Sequence, residues 1–241
     1  MDWIDCFDVF LFDFDGLLVD TEPVHYRAYL ETAERFNHPF PWSFQEFLSF
    51  AHISSKAIQS AFFSSKSPLW QRLDWQEFYN EKKRRYYQLL EMATVELVPG
   101  IQPTLEYLQK KQAASVIVTN SPRSHVENIQ KSIPLLQSVQ HTIAREDYSD
   151  PKPSPTCYEL AISRFAPGAN AKVVGFEDSL RGIQAVSQTK AYPVLVVDPL
   201  YPLLDEARQY AKAYTPRLDQ LTKQQVEGFS TGSVHRLEKG L

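Results

Sequence analysis

The sequence predicts an α/β protein: a three-layer sandwich built on a parallel sheet, with a small helical domain inserted after the first strand. Val9-Phe10-Leu11-Phe12 is a continuous apolar run, the pattern of a strand buried on both faces. Four more runs of strand character follow much later, at Ser115 to Thr119, His141 to Ala144, Lys172 to Phe176 and Val194 to Val197. Helical segments separate them, and Tyr158, Ala161, Ile162 and Phe165 give the clearest i, i+3, i+4, i+7 stripe. Between Thr21 and Leu97, by contrast, aromatics recur at helical intervals and no strand stands out.

Taken in order, residues 1–20 and 97–229 are expected to form the α/β core, 21–96 the helical insertion, and 230–241 a polar C-terminal tail. Within the insertion Tyr26, Tyr29, Leu30 and Phe36 suit one helix, Ile58, Phe62 and Phe63 a second, and Phe78, Tyr86, Tyr87 and Leu90 a third. Val98-Pro99-Gly100 marks the return to the core. Ser121 before Pro122 and Ser154 before Pro155 each place an N-cap candidate ahead of a proline suited to the first helical turn. Strands and helices alternating in this way wind with right-handed crossovers, so ligand chemistry belongs at the carboxyl ends of the strands.

Composition excludes several classes. At 241 residues, 43% hydrophobic and 22% charged, the chain is an ordinary globular one rather than disordered or fibrous. Its longest aliphatic run near the end, Val194 to Val197, is far short of the roughly 20 apolar residues that cross a bilayer. Asp2, Asp5 and Asp8 stand where a secretory signal would carry basic residues, and Cys6 and Cys157 make neither a disulfide framework nor a CxxC site. A cytoplasmic protein is expected. A net charge of −4 gives no field that favours nucleic acid or anionic lipid. The one basic run, Lys82-Lys83-Arg84-Arg85, lies among Glu77, Glu81 and Glu91 and reads as the solvated face of a helix. A monomer is the expectation.

Four segments carry chemistry. Asp13-Phe14-Asp15-Gly16 ends the first strand with two acids, which is costly beside an apolar strand unless a cation or proton compensates. Gly175-Phe176-Glu177-Asp178-Ser179 follows the apolar pair Val173-Val174 in the same way. Parallel strands bring both clusters to one sheet edge, where Asp13, Asp15, Glu177 and Asp178 form an oxygen-donor set suited to Mg²⁺. Thr119-Asn120-Ser121 offers a hydroxyl and backbone N–H groups at a helix start, an anion site. Lys152 sits between Pro151 and Pro153, which limit where its amine can go. Taken singly, each segment also suits a plainer role: a turn, a helix cap or a surface lysine.

Together and in this order, each after an expected strand, the four segments resemble the haloacid dehalogenase superfamily, in the branch of Mg²⁺-dependent phosphotransferases that includes β-phosphoglucomutase and many small-molecule phosphatases. The first motif runs Asp13-Phe14-Asp15-Gly16-Leu17-Leu18-Val19-Asp20-Thr21-Glu22-Pro23, the fourth includes Gly182, and the helical insertion matches the family's small cap. The resemblance implies a Rossmann-like core and assigns roles. Asp13 would be the nucleophile that becomes an aspartyl-phosphate, and Asp15 the acid and base. Mg²⁺ would be held by Asp13, the carbonyl of Asp15, Asp178 and, directly or through water, Glu177. Thr119, Asn120, Ser121 and Lys152 would bind phosphate.

The expected activity is that of a Mg²⁺-dependent phosphatase acting on a small phosphorylated metabolite. Dehalogenation is disfavoured because the dehalogenases lack the acid at Asp15. A β-phosphoglucomutase-type mutase is the alternative. His25, twelve positions after Asp13, occurs in both, but the segment Leu48 to Lys56 has no recognisable glycine with paired cations to hold a second phosphate. His25, His52, Ser54, Ser55 and Lys56 remain candidates for substrate contact. A catalytically inactive phosphate-binding module would have lost Asp13, Asp15 or Lys152, and all three are present.

Overall fold

The computed structural model describes residues 1–51, 53, 55–64 and 73–227. After a 3₁₀ turn at Asp2–Cys6, β1 (Val9–Phe12) leads into α1 (Glu22–Arg35), α2 (Phe44–Ala51), α3 (Ser55–Ser64) and α4 (Trp75–Met92). The chain then alternates: α5 (Ile101–Lys111), β2 (Ala114–Val118), α6 (Arg123–Ser132), β3 (His141–Ile143), α7 (Thr156–Phe165), β4 (Val173–Glu177), α8 (Leu180–Ser187) and β5 (Tyr192–Val196). It closes with α9 (Leu204–Arg208), β6 (Ala213–Thr215) and α10 (Lys223–Val226).

The strands form one parallel sheet in the order β3-β2-β1-β4-β5-β6. Alternate residues of β1 enter two cores, as the strand period of two requires. Val9 and Leu11 pack with Cys157, Tyr158 and Ala161 of α7 and with Ala185 and Val186 of α8. Phe10 and Phe12 pack with Ile101, Leu105 and Leu108 of α5 and with Val126 and Ile129 of α6. Helices therefore cover both faces, which is why β1 and β4 carry no polar alternation. Strand order reverses at β1, the switch point where parallel sheets open a crevice at their carboxyl ends.

Helices α1 to α4 enclose an aromatic core of their own. Tyr29, Phe47, Phe62 and Phe78 are buried there, with Tyr26, Phe40, Trp42 and Trp75 packed around them. The helices close over the carboxyl edge of the sheet. No helix among the described residues is long and apolar enough to cross a membrane.

Several expectations change. The sixth strand, Ala213–Thr215, is too short to announce itself, and α2 adds a helix to the three anticipated. The caps of α6 and α7 are Pro122 and Pro155 themselves, and the preceding serines bond elsewhere: Ser121 to Asp15, and Ser154 to Thr156. Phe63 and Tyr87 stay substantially exposed at 38% and 41%. The largest correction concerns the basic run. Lys83 and Arg84 are solvated, but Lys82 is 5% exposed because it shares the inner face of α4 with Phe78, Tyr86 and Leu89.

Candidate active site

The register fixes the site. Phe12 of β1 pairs with Ile117 of β2 and Phe176 of β4, so Asp13 emerges level with Val118 and Glu177. Its N–H donates to the Phe176 carbonyl at 3.1 Å. Lys152, 3% exposed at its side chain, reaches from the loop before α7 and donates from Nζ to Asp13 Oδ1, Glu177 Oε1 and the Val118 carbonyl, each at 2.7 Å. Tyr158 of α7 adds a hydroxyl donor to Glu177 Oε1 at 2.5 Å. Burial disfavours the ammonium, but Asp13 and Glu177 outweigh it and hold Lys152 well above the ordinary lysine range.

Asp13, Glu177 and Asp178 gather carboxylate oxygens within 4.8 Å of one another. Burial, Asp13 and Glu177 push Asp178 well above the usual carboxylate range, and burial with Asp13 pushes Glu177 up to about 7. Such shifts mark a place with more negative charge than one ammonium balances. Asp178 Oδ1 is buried without a hydrogen-bond partner, and a Cβ on Gly16, at φ +85°, would come within 2.1 Å of Asp178 Oδ2. The backbone of Gly16 thus lies directly against the acid. An orphaned carboxylate oxygen in an all-oxygen, excess-negative cluster fits a hard divalent cation.

Asp15 is turned to a different set of partners. Oδ1 accepts from Thr21 Oγ1 at 2.8 Å and lies 2.8 Å from His125 Nε2, while Oδ2 accepts from Ser121 Oγ at 2.6 Å. Burial opposes the charge, yet His125 and Ser121 hold the carboxyl well below its ordinary range. His125 is raised in turn: burial opposes, and the Asp15 carboxylate prevails.

The anion site forms at the end of β2. Thr119 Oγ1 accepts from the Ser121 N–H at 3.0 Å, which leaves its own proton to donate. Asn120 Oδ1 accepts from the Lys152 N–H at 3.1 Å, so the amide NH₂ remains a donor. The Tyr148 hydroxyl, 2.7 Å from the Thr119 carbonyl and 2.8 Å from Asn120 Oδ1, braces this loop. Ser179 caps α8 by accepting from Gly182 N–H at 3.2 Å.

These groups face a cavity of about 290 Å³. Asp13, Asp15, Thr119, Asn120, Ser121, Lys152 and Asp178 line its floor, while Tyr29, Phe47 and Ile58 of the helical insertion line its roof. Glu177 lies behind this floor, fully buried. Of the cap candidates, His25 lines the cavity and Lys56 is exposed and does not. His52, Ser54 and the side chain of Ser55 lie outside the described residues.

Lys82, Glu22 and Arg181 also line the cavity, and the sequence analysis gives none of the three a role there. Lys82 Nζ lies 2.7 Å from His25 Nδ1, and it faces the rings of Tyr29 and Tyr86 at 4.7 and 5.0 Å. Burial pulls this lysine down to about 7. His25, stacked on Tyr86 at 3.8 Å, is pulled down to about 3 by burial and by Lys82. The spacing of Lys82 carries a signal, since it stands four residues after Phe78 and four before Tyr86 on an apolar stripe.

Comparison with known proteins gives the family and the fold. The family model of the haloacid dehalogenase-like hydrolases matches residues 10–196. The Arabidopsis thaliana "(DL)-glycerol-3-phosphatase 2" is 31% identical over 197 residues, 78% of this chain and 79% of that protein. A "Phosphorylated carbohydrates phosphatase" of Thermotoga maritima is 26% identical over 176 residues, 73% of this chain and 78% of that one. Among solved structures, CbbY from Rhodobacter sphaeroides in complex with phosphate superposes with a TM-score of 0.70 at 22% identity, covering 89% of this chain and 96% of that chain.

Proposed function

The chain belongs to the haloacid dehalogenase-like hydrolases, and on that premise we propose that it is a Mg²⁺-dependent phosphatase of a small polyol or sugar phosphomonoester. One observation carries the reading: Asp13, paired with Lys152, and Asp15, bonded to three donors of its own, face the same cavity. Two carboxylates in such different settings suit two different tasks.

In this reading a carboxylate oxygen of Asp13 attacks phosphorus and forms an aspartyl-phosphate as the bond to the leaving oxygen breaks. Asp15 gives that oxygen the proton it took from the attacking water of the preceding turnover. Water then attacks phosphorus, the bond to Asp13 breaks, and Asp15 takes the water's proton. Thr119, the Asn120 amide and the N–H groups after it hold phosphoryl oxygens, and Lys152 balances the charge that shifts on and off Asp13. Asp13, Asp178, the Asp15 carbonyl and Glu177 would hold Mg²⁺, which when bound screens the anionic phosphate from the anionic nucleophile. Glu177 would act through Lys152 or a water, since Lys152 and Tyr158 already occupy its Oε1.

The division of labour proposed for the chain is 1–20 and 97–229 as the catalytic core and 21–96 as the cap that excludes water and selects the leaving group. A cavity of about 290 Å³ suits a leaving group of a few carbons, and similarity to a glycerol-3-phosphatase makes glycerol phosphate the first substrate to try. Two free thiols, half-buried Cys6 and buried Cys157, accord with a reducing cytoplasm.

A mutase reading draws on Lys82 and Arg181, two cations at the cavity able to hold a distal phosphate. One assay separates the readings: phosphate release from a panel of phosphomonoesters in Mg²⁺ and in EDTA, with β-glucose 1-phosphate also followed to glucose 6-phosphate. Metal-dependent release from one compound supports the phosphatase. Isomerisation without release overturns it in favour of the mutase, and no turnover favours an inactive phosphate-binding module.

A further inference from the structure

The hydrogen bonds of Asp15 are unequally divided between its two oxygens. A carboxylate oxygen presents two lone-pair directions. Those of Oδ1 are taken by Thr21 Oγ1 and His125 Nε2, both at 2.8 Å, whereas Oδ2 meets Ser121 Oγ alone at 2.6 Å. Proton transfer requires an open lone pair within reach of the reacting oxygen. Only Oδ2 retains one.

The histidine that closes Oδ1 is built into place. His125 is 3% exposed and stands one helical turn after Ser121, so both donors rise from the same end of α6 and its entry loop. Phe14, between the two acids, meets the imidazole edge-on at 5.8 Å and 87°. From the helical insertion, Tyr86 and Tyr87 of α4 lie 5.8 and 6.5 Å from the same ring. Turning the imidazole away from Asp15 would break packing on both sides. The three donors also come from three segments: Thr21 from the link into α1, Ser121 from the loop after β2, and His125 from α6.

We propose that His125 is a positioning residue for proton transfer: its Nε2–H fills the second lone pair of Asp15 Oδ1 and turns the carboxylate so that Oδ2 alone exchanges protons with the leaving oxygen and with water. The inference rests on the phosphatase reading above. It assigns His125 no proton of its own to donate in the reaction. Its task is to keep one oxygen out of the chemistry and the other aligned with it, and misalignment of a catalytic group by about 1 Å is enough to cost on the order of 100-fold in rate.

The test compares three variants of the full chain with wild type in Mg²⁺. His125→Leu removes the donor, His125→Gln returns an amide N–H at similar reach, and His125→Asn is polar but too short. Two substrates are used: the alkyl phosphate that wild type turns over fastest, whose leaving oxygen must be protonated, and p-nitrophenyl phosphate, whose phenolate departs without a proton. The readout is kcat/KM, which reports steps up to departure of the leaving group. His125→Leu and His125→Asn are expected to lose about tenfold or more on the alkyl phosphate and much less on the aryl one, with inhibition by inorganic phosphate unchanged. His125→Gln is expected to recover most of the alkyl loss. Should His125→Leu fail to fold, the contrast between Gln and Asn decides. Equal loss on both substrates would mean a merely structural role and overturn the proposal, as would wild-type kcat/KM in His125→Asn. Wild-type turnover that disappears in Asp15→Asn would then leave the phosphatase reading standing alone, whereas a wild type inactive on every phosphomonoester would overturn both.

Discussion

Lys152 Nζ donates to Asp13 Oδ1 at 2.7 Å across 139 positions of sequence, and the same nitrogen reaches Glu177 Oε1 at 2.7 Å. One ammonium thus joins the ends of β1 and β4 at the point where the strand order reverses. Its burial is tolerable only because each N–H finds an acceptor, the third being the Val118 carbonyl.

Removing that ammonium should therefore cost both stability and activity. Lys152→Met leaves two carboxylates without their counter-charge, and breaking a buried pair typically costs about 3–5 kcal/mol. The orphaned acids can relieve this by taking protons, so the loss should be smaller at pH 5 than at pH 8. Urea unfolding at the two pH values checks it, and an equal loss at both would contradict the assignment.

Metal should stabilise the fold through the same cluster. A ligand that binds the folded chain at 100 times its Kd adds about 2.7 kcal/mol. Mg²⁺ is expected to raise the thermal midpoint of wild type over that in EDTA, and Asp178→Asn should abolish the rise, because Asp178 Oδ1 is the oxygen left without a partner. A midpoint indifferent to Mg²⁺ would count against the site.

Much of this was legible in the sequence, and the reasons differ from residue to residue. Asp13, Asp15, Glu177 and Asp178 were visible because an apolar strand ending in acids is costly without a purpose. Thr119 and Lys152 gained meaning only from their order along the chain. Lys82 was hidden by its neighbours: three more cations follow it, and composition alone could not tell which faced inward. Its position between Phe78 and Tyr86 on the buried stripe carried the information. The Asp15 to His125 contact spans 110 positions and depends on how α6 packs under the insertion, which local pattern does not encode. Ser121 suits a cap by local pattern, but tertiary geometry gives its hydroxyl to Asp15 and leaves the cap to Pro122.

Gly182 should tolerate no side chain. A Cβ there would stand 1.8 Å from Glu177 Oε2. Alanine favours a helix over glycine by about 1 kcal/mol, but overpacking beside a fixed, buried carboxylate costs about 1–3 kcal/mol, so the clash should win. Gly182→Ala is expected to lower the thermal midpoint and to reduce turnover by displacing Glu177 from Lys152. A variant as stable and as active as wild type would show that Glu177 is free to move.

Acid should weaken the cap through His25. Burial and Lys82 hold its folded value near 3, below the ordinary 6.5. From about pH 6.5 downward the unfolded chain takes a proton that the folded chain refuses until about pH 3. This contribution to stability is therefore present above pH 6.5 and lost as pH falls, by up to about 1.4 kcal/mol per pH unit. His25→Gln, which keeps an acceptor for Lys82, should show a shallower fall between pH 6.5 and 4.5 in urea unfolding. Identical slopes would mean that His25 is protonated in the folded protein.

Every role proposed for the site turns on the nucleophile, and trapping the covalent intermediate tests it most directly. Wild type is mixed with a ³²P-labelled phosphomonoester that it turns over, quenched in acid within a turnover, and examined for protein-bound label that hydroxylamine removes, as an acyl phosphate requires. Label is expected on wild type and none on Asp13→Asn, with Asp13→Asn folded and inactive. Label that persists in Asp13→Asn, or full turnover by that variant, would contradict the role given to Asp13.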